Sequence, residues 1–311
     1  MKRVLLAVAV VAMATTSVFA VSLQAGPSTG QFFNWELLYT GDGLANVGSG
    51  FYFDPDTTTL HTHNGVGATP GGGNTVYLGD NFGILRINTL QELSSGVYYT
   101  DPGTAAATEE LTGIFYGIDV VTVNPGAGGS VELLATGGRL DLYNETGGVS
   151  SPTRFFQGGT DIDFAASKLG VSGGLPTYQT ATEGTRMVSF MLADGIVATA
   201  GITVQGTFNA GLPSNGSASF YGDVILDGSP WALLLDTNGQ TSGFFGPRDI
   251  LAQNSFVTSG PSLTAVGGLH GWDLFSSDPF FFEPMPEPGT FALLGLGLAG
   301  LGVIARRRRR S

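Results

Sequence analysis

The chain has 311 residues, 49 of them Gly and 15 Pro, and no Cys. Gly and Pro at this density exclude a long-helix or coiled-coil protein, while a 42 % hydrophobic share is too high for a disordered one. The missing Cys excludes disulfides, Cys-based zinc sites, iron–sulfur clusters and thiol nucleophiles. The net charge of −12 conceals a sharper division. Lys2 and Arg3 stand at one end and five Arg at the other, and between them six basic residues face all 25 acidic ones. Such a body supplies no counterion-release term for nucleic acid.

Residues 1–20 read as a signal peptide with a short helix. Lys2 and Arg3 form its basic start, Val4 to Ala14 its apolar stretch, and Val18-Phe19-Ala20 the small-residue pattern that signal peptidase reads. Cleavage is expected after Ala20, with Leu23-Gln24-Ala25 as a second acceptable site.

Residues 21–283 read as one β-rich body. Short runs of alternating apolar and polar residues predict strands over 31–38, 75–79, 82–88, 114–123, 130–135, 139–143, 186–192, 196–204, 217–226 and 231–235. Turn-forming pairs punctuate them: Asn124-Pro125, Asp194-Gly195, Asn215-Gly216, Asp227-Gly228 and Asn238-Gly239. Asp194-Gly195 between two strand-like runs reads as a two-residue hairpin. Only Ala105 to Leu111 and Ile162 to Leu169 carry a helical pattern. Alternating βαβ units are absent, so the expected fold is all-β, an antiparallel β-sandwich or a related architecture.

Chemistry-bearing motifs are few. Gly26-Pro27-Ser28-Thr29-Gly30 spells G-x-S-x-G, but no strand precedes it and no helix follows, as a nucleophile elbow requires. Gly295 to Gly300 spells G-x-G-x-x-G in an apolar segment that ends the chain, without the acidic residue that dinucleotide binding needs. His61 and His63 would face the same way on a strand and are weak metal candidates, with Asp54 or Asp56 nearby. Asp54, Asp56, Asp161 and Asp163 could offer oxygens to Ca2+, although no EF-hand spacing is present, and no other cofactor is indicated. Trp35, Trp231 and Trp272 could stack on sugars but more commonly pack a β core. No catalytic set emerges, and a non-enzymatic role is expected.

Residues 284–311 form the most specific segment. Pro286, Glu287, Pro288, Gly289 and Thr290 are followed by fifteen uncharged residues, Phe291 to Ala305. Arg306, Arg307, Arg308, Arg309 and Arg310 then close the chain as a membrane stop. At 1.5 Å per residue the apolar run spans about 22 Å as a helix, a short transmembrane anchor against a hydrocarbon core of about 30 Å. Proline-rich entry, apolar segment and arginine block, in that order, resemble the PEP-CTERM sorting tail. The resemblance implies an exosortase substrate of a Gram-negative bacterium, cut near Pro286-Glu287-Pro288. It implies an inner-membrane intermediate, then a cell-surface or extracellular-matrix destination among exopolysaccharide. The body, in segments such as Ile114 to Val120 and Arg139 to Tyr143, is loosely similar to flocculation-associated members, which implies a structural or adhesive role. The rival expectation is a secreted hydrolase or carbohydrate-binding module carrying the same tail.

Overall fold

A computed structural model describes residues 21–38, 67–68, 76–77, 81–100, 109–125, 130–145, 179–182, 184–209, 215–257 and 274–285. The strands are β1 (Ser28–Leu38), β2 (Gly67–Ala68), β3 (Val76–Tyr77), β4 (Asn81–Glu92), β5 (Gly96–Thr100), β6 (Glu110–Pro125), β7 (Ser130–Glu145), β8 (Thr185–Ala193), β9 (Val204–Asn209), β10 (Asn215–Val224), β11 (Gln240–Thr241), β12 (Pro247–Arg248), β13 (Ile250–Val257) and β14 (Leu274–Phe282). Two single-turn helices, α1 (Gln179–Thr182) and α2 (Ala232–Leu235), interrupt them.

All pairings are antiparallel, and the main sheet closes on itself. β1 pairs β14 along one side and β4 along the other, residue by residue from Ser28 to Glu36. The circuit β1-β14-β13-β10-β8-β7-β6-β4 makes a closed barrel of eight strands. The all-β expectation holds, but the sheet is a barrel rather than a two-sheet sandwich. Closure removes the free edges that an open sheet would leave to pair with other chains. Register shifts mark β-bulges in β4, β5, β6 and β8, the local kinks that let a sheet curl.

Two staves of the barrel are each built from two strands in line. On β10, Tyr221 opposes Ala193 at the end of β8, and the adjacent Phe220 opposes Val204 at the start of β9. Residues 194–203 are therefore an excursion from one stave, and β8 and β9 do not pair. The hairpin expected at Asp194-Gly195 and the strand expected over 196–204 are not formed. Thr203 pins the end of the excursion by donating from its backbone N–H to Ala135 O at 2.9 Å and from Oγ1 to Gly137 O at 2.6 Å. Likewise β5 and β6 both lie along β4, and the Leu111 N–H donates to the Tyr99 hydroxyl at 3.1 Å where they meet.

Other expectations shift for local reasons. The runs 130–135 and 139–143 are one strand, β7, bent at Gly137 and Gly138, whose φ values are +70° and +103°. Asn215-Gly216 starts β10 rather than turning. The run 231–235 forms α2, because the Trp231 N–H is taken by Met187 O at 2.8 Å and the next turn closes on Trp231. Leu111, expected in a helix, lies in β6. The helix expected over Ile162 to Leu169 lies outside the described residues, as do the signal and the apolar tail.

Alternation of burial is clearest in β13, while β4 and β8 are buried on both faces over much of their length. In β13, Ile250, Ala252, Asn254 and Phe256 are buried while Gln253 and Ser255 are exposed. The interior is packed by Phe32, Leu85, Ile87, Leu90, Leu140, Leu142, Phe190 and Phe282, each worth about 1.5–3 kcal/mol when fully buried. Gln31 and Ser217 on the outside are exposed. The outer face is not uniformly polar: Trp35, Phe82, Ile84 and Ile114 lie off the lumen and are buried as well. Among the described residues no helix is long and apolar enough to cross a membrane.

Candidate functional site

The two ends of the barrel differ chemically. The end where β1 starts and β14 finishes is plugged by α2 and by the segment before β1: Leu23, Trp231 and Leu235 are buried and line the lumen. Val21 joins them in the core at 5 % exposure. Here the two ends of the body are tied together. The Gly26 N–H donates to Pro284 O at 3.1 Å, and the Met285 N–H donates to Leu234 O in α2 at 2.7 Å. Met285, where this described segment ends, is therefore tied to α2. Large apolar side chains stand exposed on the elements around this point: Leu93, Val97, Leu226, Leu233 and Met285.

Toward the opposite end the inward positions turn polar. Asn34 and Glu36 follow Phe32 on the inner face of β1, Asn81 opens β4, Asn254 sits on β13, and Asp278 lies two positions from Phe280 on β14. Glu36 is the hub. Asn254 Nδ2 donates to its Oε1 at 3.1 Å, Asn81 Nδ2 to its Oε2 at 3.4 Å, and Asn34 Nδ2 also donates to Oε1. Burial pushes the Glu36 carboxyl above the ordinary range, and the three amide donors oppose that. Asp278 is fully buried and pushed up to about 7, by burial first and by the charge of Glu36 as well, against a hydrogen bond from the Ser255 N–H. Among the described residues the Oδ1 atoms of Asn34, Asn81 and Asn254 have no hydrogen-bond partner.

This layer was not legible in the sequence. Phe32-Phe33-Asn34-Trp35-Glu36 carries an aromatic on each face, so alternation alone does not say which face Glu36 takes. Asn254 and Asp278 lie in strands that the apolar alternation did not single out.

The residues that sequence reasoning did single out lie mostly elsewhere. Ala20, Asp54, Asp56, His61, His63, Asp161, Asp163, Trp272, Pro286 to Thr290 and Arg306 to Arg310 are outside the described residues. Trp35 and Trp231 are buried at 0 % and 3 % exposure and offer no open stacking face. Ser28 of the G-x-S-x-G match donates its Oγ to Gly26 O at 3.1 Å and leads into a strand rather than a helix. Among the described residues no group of three or more His, Asp or Glu is placed to hold a metal ion.

No curated protein and no solved structure matches the chain. Residues 286–310 match the family model of the PEP-CTERM protein-sorting motif. That motif implies exosortase as the processing partner and export to the cell envelope or surface. Starting one residue beyond the hydrogen-bonded Met285, the chain carries a PEP-CTERM sorting motif, and this makes it a PEP-CTERM domain-containing protein.

Proposed function

We propose that the chain is a non-catalytic surface or matrix protein, delivered by exosortase, with a structural or adhesive role among extracellular polysaccharide of a Gram-negative bacterium. Signal peptidase removes residues 1–20, the apolar tail holds the body at the inner membrane for a time, and cutting near Pro286-Glu287-Pro288 releases the barrel. The observation that carries this reading is the sorting motif over 286–310, attached without a spacer to a closed domain. The exposed apolar side chains around residue 285 support it, since the end tethered to the lipid is the end where apolar surface costs least. The acidic, Lys-poor body supports a partner other than nucleic acid. Trp35 and Trp231 are buried and so do not serve as stacking platforms for the rival reading, a secreted hydrolase or carbohydrate-binding module with the same tail.

The test is fractionation of the native host expressing the chain with Pro286→Ala and Pro288→Ala together. The expected result is precursor retained in the inner membrane while the unaltered chain reaches the surface. Equal or greater release of the double variant would overturn the reading.

A further inference from the structure

The barrel lumen is a cavity of about 60 Å³. At roughly 10–15 Å³ per water-sized centre, that is room for about four to six heavy atoms. Its walls are apolar over most of their length, through Phe32, Leu85, Leu140, Phe190 and Phe280. One end is not. There Asn34, Asn81 and Asn254 direct their N–H groups to Glu36, which leaves three amide oxygens facing no donor among the described residues. Asn34 and Asn254 are 2 % and 6 % exposed, so bulk water does not serve them freely. A buried acceptor without a donor destabilises a fold unless something binds it. Glu36 lines this end and Asp278 is buried near enough to feel its charge, and none of the described residues lining the lumen is basic.

We propose that the lumen binds a short aliphatic primary amine, with the ammonium group among Asn34, Asn81, Asn254 and Glu36 and a chain of about four carbons along the apolar wall. An ammonium group carries three donors and no acceptor, the complement of three partnerless amide oxygens. Its positive charge offsets the buried acids. A carboxylate of the same length brings acceptors and like charge to the same place. An alcohol brings a single donor, and a diamine drives a second charge into the apolar wall. A bare metal ion leaves the apolar part unfilled. The inference rests on the lumen alone and stands apart from the sorting tail.

Calorimetric titration of the purified processed protein, followed also by Trp231 fluorescence, tests it with n-butylamine, n-butanol, butyrate, 1,4-diaminobutane and calcium chloride. The expected result is saturable one-to-one binding of n-butylamine, at least tenfold tighter than each of the other four. Glu36→Gln is expected to weaken butylamine at least tenfold. Ala252→Phe, which fills the lumen without touching a charge, is expected to abolish binding. Butanol binding as tightly as butylamine, calcium displacing butylamine, or no saturable heat for butylamine overturns the inference. The ligand series on the unaltered chain decides the matter even where a variant fails to fold.

Discussion

At the residue scale the buried acids set the pH response. Asp278 has a folded value of about 7 against an ordinary 3.8. Above pH 4 the unfolded chain ionises this group freely while the folded barrel resists, so stability falls as pH rises from about 4 to 7 and then levels. The difference amounts to something on the order of 4 kcal/mol. Asp278→Asn, which keeps an acceptor for the Ser255 N–H, is expected to match the unaltered chain near pH 4 and exceed it at pH 8, as read by urea midpoints. Equal midpoints at pH 8 would show that Asp278 is not the group responsible.

Glu92 behaves in the opposite sense. It accepts from the Ser94 N–H at 3.1 Å, the Ser94 hydroxyl at 2.7 Å and the Ser95 N–H at 2.6 Å. The Ser94 and Ser95 donors hold its carboxyl down to about 2. Its contribution is present above about pH 4.5 and is lost as pH falls toward 2. Glu92→Gln is expected to speed amide exchange at Ser94 and Ser95 at neutral pH and to remove this acid dependence. Unchanged exchange in the variant would contradict the assignment.

At the element scale, the broken staves and the plugged end carry the folding logic. β7 bends at Gly138, where φ is +103° and a Cβ would run into Leu192 and Ile118. Gly138→Ala is expected to cost about 2–4 kcal/mol, from backbone strain and overpacking together. A loss below 1 kcal/mol in denaturant unfolding would mean the bend adapts.

Val21 and Leu23 pack into the barrel, and Gln24 Oε1 accepts from the Ser95 hydroxyl at 2.8 Å. A chain beginning at Gly26 would lose two buried apolar side chains, about 3–6 kcal/mol by area alone. Signal cleavage is therefore expected after Ala20 and not after Ala25. Amino-terminal sequencing of exported protein reads this directly: Val21 agrees, and Gly26 contradicts.

Much of the strand content was legible because short apolar-rich runs between turn-forming residues report strands, as in 82–88 and 186–192, although in the fold both faces of these two are largely buried. The failures of that pattern share a cause. The run 231–235 alternates too weakly to be told from a helical turn, and its state is set by the Trp231–Met187 hydrogen bond. The excursion 194–203 is defined only by the register of β10, more than ten residues away.

At the scale of the whole molecule, inside-outside alternation suits a sandwich and a barrel equally. The distinction lies in β1 meeting both β4 and β14, and β14 is some 240 residues distant. No local pattern encodes that pairing. The candidate site divides the same way. The sorting tail is a linear signal read without folding, so it stood open in the sequence. The polar layer exists only once β1, β4, β13 and β14 come together around one axis.

The barrel also gives the molecule a direction. Its plugged, apolar-fringed end holds residue 285, after which the sorting motif follows in the sequence, and its acid-amide layer lies toward the other end. The barrel is expected to be trimmed at both ends and delivered without its anchor. Intact-mass measurement of the surface-associated protein from the native host tests that most directly. The account predicts a mass that starts at Val21 and stops near Glu287, with the apolar run and Arg306 to Arg310 gone. A mature surface form still carrying that arginine block would contradict it.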